Sequence, residues 1–507
     1  MLLASSARAQ DCTPGWVPTF PGSTGVSDYV ADLVVFDDGT GGGPGLYATG
    51  YLVIAGGSGV NFVARWDGES WSALGTGGSM GVNSPARALA VYDDGGGPAL
   101  YVGGSFTLAG GEIAHRIAKW DGRSWSNLGS GMDGDVWVLS VFDDGSGGPE
   151  LYAGGEFTTA GGITVNHIAK WNGTSWRALG SGTNPTSVMA LASFDDGRGG
   201  GPALYVGGTF TEAGGEAASH IARWDGGSWS SLGHGVSGPV LALTVVDVPG
   251  GAGPRLCAGG LFQSAGSLDI DHIALWDGTT WSPLGSGMSS SVLCLAAFDD
   301  GSGPALFAGG GFLSAGGTPA KRIAKWDGTS WSPLGSGMSN GGVLALESFD
   351  DGSGAGPALF VGGNFEEALD SGDAFLAKWG CSPSAWTDLG FGLAGISGVP
   401  ALAGTGTLEP GSPGALALTN AQPTALTNLF VSFASTPAPF KGGVLVPVPS
   451  ALMLSLFTNG AGSIPLAWTA WPAGIPSAST LYFQYAIQDA AAPAGVALSN
   501  ALRAVTP

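Results

Sequence analysis

Six Asp-Asp pairs recur along the chain, at Asp37-Asp38, Asp93-Asp94, Asp143-Asp144, Asp195-Asp196, Asp299-Asp300 and Asp350-Asp351, each followed by glycine. A seventh equivalent position carries Asp247 alone. Paired carboxylates are hard oxygen donors of the kind calcium takes, about six to eight to an ion. Two adjacent Asp side chains in a tight turn do not converge on one small cage, and glycine adds no side-chain ligand. The expectation is therefore weak calcium binding, distributed over these twelve residues. The reading ranked ahead of it makes one Asp of each pair a turn cap and leaves the other facing water. A glycosidase-type carboxylate pair fits poorly, because an enzyme needs one site rather than six nearly equal ones.

Basic and imidazole groups form a second series. His167, His220 and His272 each precede an Ile-Ala dipeptide, and Arg116 and Arg322 take that place in two other copies of the same phrase. These five are the candidate binding residues, with Glu112, Glu212 and Glu216 as nearby polar groups. Three imidazoles on separate copies stand too far apart to share a zinc ion with bonds near ~2 Å. Trp137 occupies a position where most other copies carry Leu, Ala or Met, which places it at an axis or in a gap between copies, as packing or as a sugar-stacking face. No GxSxG elbow, HExxH, CxxC or phosphate-binding GxxxxGK occurs. No catalytic residue is assigned, and binding ranks ahead of catalysis.

These residues must be positioned by a repeat. Trp66, Trp120, Trp171, Trp224, Trp276, Trp326 and Trp379 hold the same place in one phrase, 50 to 54 residues apart. Seven copies of that length match the blades of a ring or the coils of a long solenoid. In the sixth copy, VLCLAAFDDG, PALFAGGGF, KRIAKWDG and TSWSPLG read as four strands, A to D, bounded by Gly, Asp and Pro turn signals. Four antiparallel strands per copy predict an all-β, seven-bladed β-propeller, which closes without exposed terminal edges. The A–B and C–D turns, with the Asp pairs, then share one face. The B–C and D–A loops, with the His/Arg series, share the other. The double glycine ending strand B predicts close approach of neighbouring sheets or a bend near the axis.

The chain ends resemble each other. DCTPGWVPTF at the start and KWGCSPSAWTDLG in the last copy both read as a C–D turn with its D strand. One end is expected to complete the seventh blade, with a Cys12–Cys381 disulfide across the seam. Cys257 and Cys294 lie within strands and are expected as buried free thiols.

The fuller phrase, GGxFxxAGGxxxxxIAxWDGxxWxxLGxG, resembles the kelch pattern, and more closely the blades of fungal cortical-marker proteins and of secreted bacterial repeat proteins. That resemblance implies a propeller and leaves function open. Kelch-type rings of the galactose-oxidase kind imply a copper site of tyrosines and histidines, a set that cannot be placed in this chain. Beyond Gly390 the phrase stops. Residues 401–507 hold apolar runs separated by Pro and Gly, which predict a C-terminal β-sandwich of six to eight strands. This segment resembles a C-terminal module of secreted planctomycete-type proteins, which implies a surface-association role.

The domain expectation is 1–10 as a signal remnant, 11–29 as a seam segment, 30–390 as the propeller, 391–400 as a linker and 401–507 as the sandwich. Ala7-Arg8-Ala9 fits the small-x-small pattern of a signal cleavage site, with the true start of the signal upstream of Met1. The 507 residues carry 17 Lys and Arg against 39 Asp and Glu, a net charge of −22. That charge disfavours nucleic acid and anionic membrane as partners, and no run is long and apolar enough to span a bilayer. The functional expectation is a secreted or cell-surface binding or scaffold protein whose partner is a polysaccharide or a surface protein. The alternative is a secreted carbohydrate-active hydrolase or lyase with its site on the B–C/D–A face.

Overall fold

The computed structural model describes residues 14–20, 25–197, 199–247, 253–353, 355–381, 386–406, 408, 410–435, 437–447, 451–471 and 479–505. These residues are all-β apart from two single turns of 3-10 helix. The chain divides into two compact units, 1–382 and 383–507.

The first unit holds seven four-stranded antiparallel sheets. Sheet two is typical, with strands Ala86–Asp93, Pro98–Gly104, Ile117–Trp120 and Trp125–Asn127 in chain order. The A strands lie side by side in sequence order, and that of sheet seven, Val343–Phe349, packs against that of sheet one, Val30–Phe36. Sheet seven takes its fourth strand from the other end of the chain: Gly15–Val17 pairs with Leu376–Gly380.

The double glycines have two separate reasons. A Cβ on the first, Gly103, would run into the side chain of Val136, the first residue of the next A strand. The same clash recurs from Gly154 to Val188 and, between sheets seven and one, from Gly362 to Val30. A Cβ on the second, Gly104, would strike the carbonyl of Pro85 just ahead of its own A strand. Close approach is therefore the operative cause.

The tryptophans pair within sheets and bond between them. The C-strand and D-strand rings of each sheet lie 5.1 to 5.4 Å apart, within the range of favourable aromatic contacts. The indole N–H of Trp125 donates to the Leu74 carbonyl of the preceding sheet, and Trp176, Trp229, Trp281 and Trp331 repeat the bond. Trp16 does the same to Leu334 of sheet six, so the N-terminal strand supplies the missing D-strand tryptophan of sheet seven. Buried Asp373 fastens the segment that follows, accepting from the N–H groups of Thr19 and Phe20.

In the second unit, a sheet that includes Leu426–Ser432, Leu452–Phe457, Thr480–Gln488 and Ala501–Val505 shares one core with the sheet of Ala401–Thr405, Gly414–Thr419 and Ile464–Trp468. The expected boundary is corrected here. Trp386–Gly390 pairs with Ala501–Val505 and belongs to this second unit. Residues 391–400, expected as a linker, are tied into it as well: Leu393 exchanges backbone hydrogen bonds with Leu498, and the Ile396 N–H donates to Asp489. The expected signal remnant, 1–10, lies outside the described residues.

Candidate functional site

Every A strand of the first unit carries a β-bulge immediately after its first residue, as between Ala86 and Ala88 or Val136 and Val138. A bulge leaves one residue out of the ladder and re-aims its side chain. The seven bulge residues are Ala31, Arg87, Trp137, Met189, Leu241, Leu293 and Leu344. All seven line a single pocket of about 300 Å³, together with Tyr29, Asp32 and Val138. The Arg87 guanidinium lies over the Trp137 ring, 4.2 Å from its centroid, a cation–π arrangement. Arg87 has no hydrogen bond or ion pair among the described residues, and Arg87 Nε and Trp137 Nε1 are both buried without a partner.

Asp32, the one carboxylate on the pocket wall, is already engaged. Its two oxygens accept the N–H groups of Leu33 and, from the neighbouring sheet, Leu89, both at 2.8 Å. Burial raises its pKa to about 7 against these two hydrogen bonds. Burial, and then the charge of Asp32, also lifts Glu347 of sheet seven to about 7. A general acid needs its O–H free to face a substrate, and Asp32 is instead a clasp between two A strands.

The five predicted binding residues occupy a different place. Arg116, His167, His220, His272 and Arg322 all have φ between 64° and 71°, the left-handed region. Each donates its backbone N–H to the carbonyl of a B–C phenylalanine, as His167 does to Phe157. Each accepts at its own carbonyl from the second glycine of strand B, as His167 does from Gly155. Phe62 and Phe375 fill the same corner in sheets one and seven, so the position serves the backbone turn whatever its side chain. Arg116 is ion-paired with Asp135 at 3.2 Å, and Arg322 donates to the carbonyls of Gly341 and Met338. The Nδ1 atoms of all three histidines are buried without a partner, and burial lowers the pKa of His167 and His220. None of the five lines the pocket of the bulge residues.

The Asp pairs divide by role. The first member caps its own turn: Asp37, Asp93, Asp143, Asp195, Asp299 and Asp350 each accept the N–H two residues on, at 2.8 to 3.0 Å. The second member does not face water, which corrects the expectation. Asp38, Asp94, Asp144, Asp196, Asp300 and Asp351 have side chains only 0 to 15 % exposed. They pair with Arg65, Lys119, Lys170, Arg223, Lys325 and Lys378 of strand C at 2.5 to 3.8 Å. Tyr47, Tyr101, Tyr152 and Tyr205 donate their hydroxyls to four of them. Burial opposes ionisation of Asp144, but hydrogen bonds from Lys170, Ser146 and Tyr152 outweigh it and hold the carboxyl down at about 2. Among the described residues, no group of three or more His, Cys, Asp or Glu could hold a metal ion. Cys257 and Cys294 are buried free thiols, and Cys381 is not among the free thiols. Cys12 lies outside the described residues.

Trp137 was visible in the sequence as an odd member of its column. Arg87 was missed, although the same column, read across seven copies as Ala, Arg, Trp, Met, Leu, Leu, Leu, varies beside an almost invariant first residue.

No family model and no curated protein matches this chain. Among solved structures, it is similar to the V. cholerae biofilm matrix protein Bap1, at 10% identity and a TM-score of 0.28, covering 97% of this chain and 68% of that one. A likeness at that TM-score carries no argument. Among the described residues, no helix is long and apolar enough to cross a membrane.

Proposed function

We propose that the first unit is a seven-bladed, kelch-like β-propeller and that the protein is a secreted or cell-surface binding protein whose partner is a polysaccharide or a surface protein. The pocket carries this reading. Seven copies of one repeat each turn a single bulge residue into it, and where three copies carry leucine the first four carry Ala31, Arg87, Trp137 and Met189. An arginine and a tryptophan side by side in an otherwise apolar wall fit the pattern of small-ligand sites, which are largely apolar concave surfaces with a few polar groups. The ring reading is supported by the packing of the seventh A strand on the first and by the repetition of the glycine–valine fit at that junction. The export reading rests on Ala7-Arg8-Ala9 and on the proposed Cys12–Cys381 seam. The hydrolase or lyase alternative is set behind it, because the pocket wall offers one carboxylate and both its oxygens are bonded to backbone.

A glycan array combined with pull-down from an extracellular matrix tests the proposal. Retention of a defined glycan or surface protein is expected, and silence in both alongside turnover of a polysaccharide would reverse the ranking. For the second unit we propose surface association. Protein lacking residues 383–507 is expected to be exported but no longer retained at the surface.

A further inference from the structure

The chain is poor in cations, with 17 Lys and Arg in 507 residues, and most of those described are spoken for. Six neutralise the second Asp of the A–B turns or its equivalent, Arg116 pairs with Asp135, and Arg322 binds backbone carbonyls. Arg87 is different. It stands in the pocket with Met189, Leu241, Leu293 and Leu344, its guanidinium over the face of Trp137 and unpaired among the described residues. Arg87 is half-buried, with its Nε closed off against the wall, and stacking on a tryptophan face leaves the charge of a guanidinium unneutralised.

We infer that Arg87 and Trp137 form the binding site for a single carboxylate-bearing sugar ring, a uronate unit, which rests on the binding-protein reading above. The guanidinium presents a planar fork that matches a carboxylate with two parallel hydrogen bonds, and with Nε closed off the two terminal nitrogens are the fork that remains. Trp137 lines the same pocket and carries the guanidinium over its ring, which fixes where the charge is presented. The apolar bulge residues supply a surface for the C–H face of a pyranose. A volume of about 300 Å³ lies at the small end of ligand pockets and admits one ring rather than a run of them, so the unit is a free acid or the end of a chain. A phosphate or sulfate ester fits less well, since among the described residues one guanidinium is the only cation on the wall and the Asp32 carboxyl stands on the same wall.

The experiment is titration of the full chain with glucuronate, glucose and acetate, by calorimetry and by saturation-transfer NMR. One site for glucuronate is expected, at least tenfold tighter than for glucose or acetate. Arg87→Met is expected to weaken glucuronate at least tenfold and leave glucose unchanged. Leu241→Phe keeps Arg87 and fills the pocket, and it is expected to abolish binding, which keeps the test open should Arg87→Met fail to fold. Equal affinity for glucose, an Arg87→Met variant that binds glucuronate like the parent, or no glucuronate binding by folded parent would each overturn the inference. Matrix retention by Arg87→Met equal to that of the parent would also overturn it while leaving the binding-protein reading standing.

Discussion

Asp351 and Lys378 meet at 2.5 Å with side chains 4 % and 2 % exposed, and sheet five shows what happens when such a pair is given up. There the turn reads Asp247-Val248, the strand-B tyrosine position is Cys257, and the strand-C cation position is Leu275. Cys257 and Leu275 face each other across the ladder as Tyr101 and Lys119 do in sheet two. All three polar members are lost together, as expected if a half-removed pair is worse than none. Lys378→Leu is accordingly expected to destabilise by about 3–5 kcal/mol, and the double change with Asp351→Val to recover much of that, measured by chemical denaturation. Two A-strand carboxylates have the opposite sign of pH dependence to the turn carboxylates. Asp32 and Glu347, raised to about 7, hold their protons more tightly folded than unfolded. Their contribution to stability is full below the ordinary carboxylate range and is lost as pH rises through about 7. Asp144, held at about 2, contributes above the ordinary range and loses its contribution as pH falls toward 2. Glu347→Gln should therefore melt higher than the parent at alkaline pH and equally at a pH near 4. A gain that is the same at both would contradict a buried, titrating carboxyl.

The strand ends are where the repeat is least forgiving. Gly103→Ala puts a methyl against Val136, and overpacking of this kind costs about 1–3 kcal/mol. Gly78→Ala, with nothing within 4 Å of the added carbon and no positive φ, is the control and should be near neutral. A lowering of the melting temperature by both alike would mean that flexibility, not the fit between sheets, explains the glycines. The seam depends on one short strand. Trp16 packs on Trp379 at 5.3 Å and bonds the Leu334 carbonyl. Trp16→Ala is expected to cost about 3–5 kcal/mol, and Trp16→Phe less, since it keeps the ring contact and loses the N–H. Peptide mapping of mature protein without reductant tests the proposed Cys12–Cys381 bond beside it. Two free thiols would exclude that bond.

For the whole molecule, net charge −22 overstates the field available to divalent ions. The second Asp of every pair already has a cation within 4 Å, so the A–B turns present mainly their capping members. Calcium is expected to raise the melting temperature only in the millimolar range, the weak end of calcium sites. Sodium chloride at matched ionic strength should reproduce most of that rise by screening. A shift at micromolar calcium would require a cage that the described residues do not form.

Period, strand content and turn chemistry were all legible without a structure. The 50 to 54 residue spacing of Trp66 through Trp379, the Asp-Asp-Gly turns and the double glycines are local signals, and strand and turn formation is decided largely by residues close in sequence. The sequence likewise showed that the two chain ends resemble one another. What lay beyond it depended on contacts between residues far apart. Whether the second Asp of a pair meets water or a lysine some 25 residues later is set by the B–C register. Whether Trp386 continues the repeat or joins another unit is set by its pairing with Ala504. The His/Arg series looked functional because its residue types are chemically capable, but its members share a left-handed corner that Phe62 and Phe375 fill equally well. Arg87 and Trp137, 50 residues apart, become neighbours only because two bulges turn them into the same pocket. A bulge leaves no mark in hydrophobic periodicity, which is averaged over a strand, so tertiary structure alone brought that pair together.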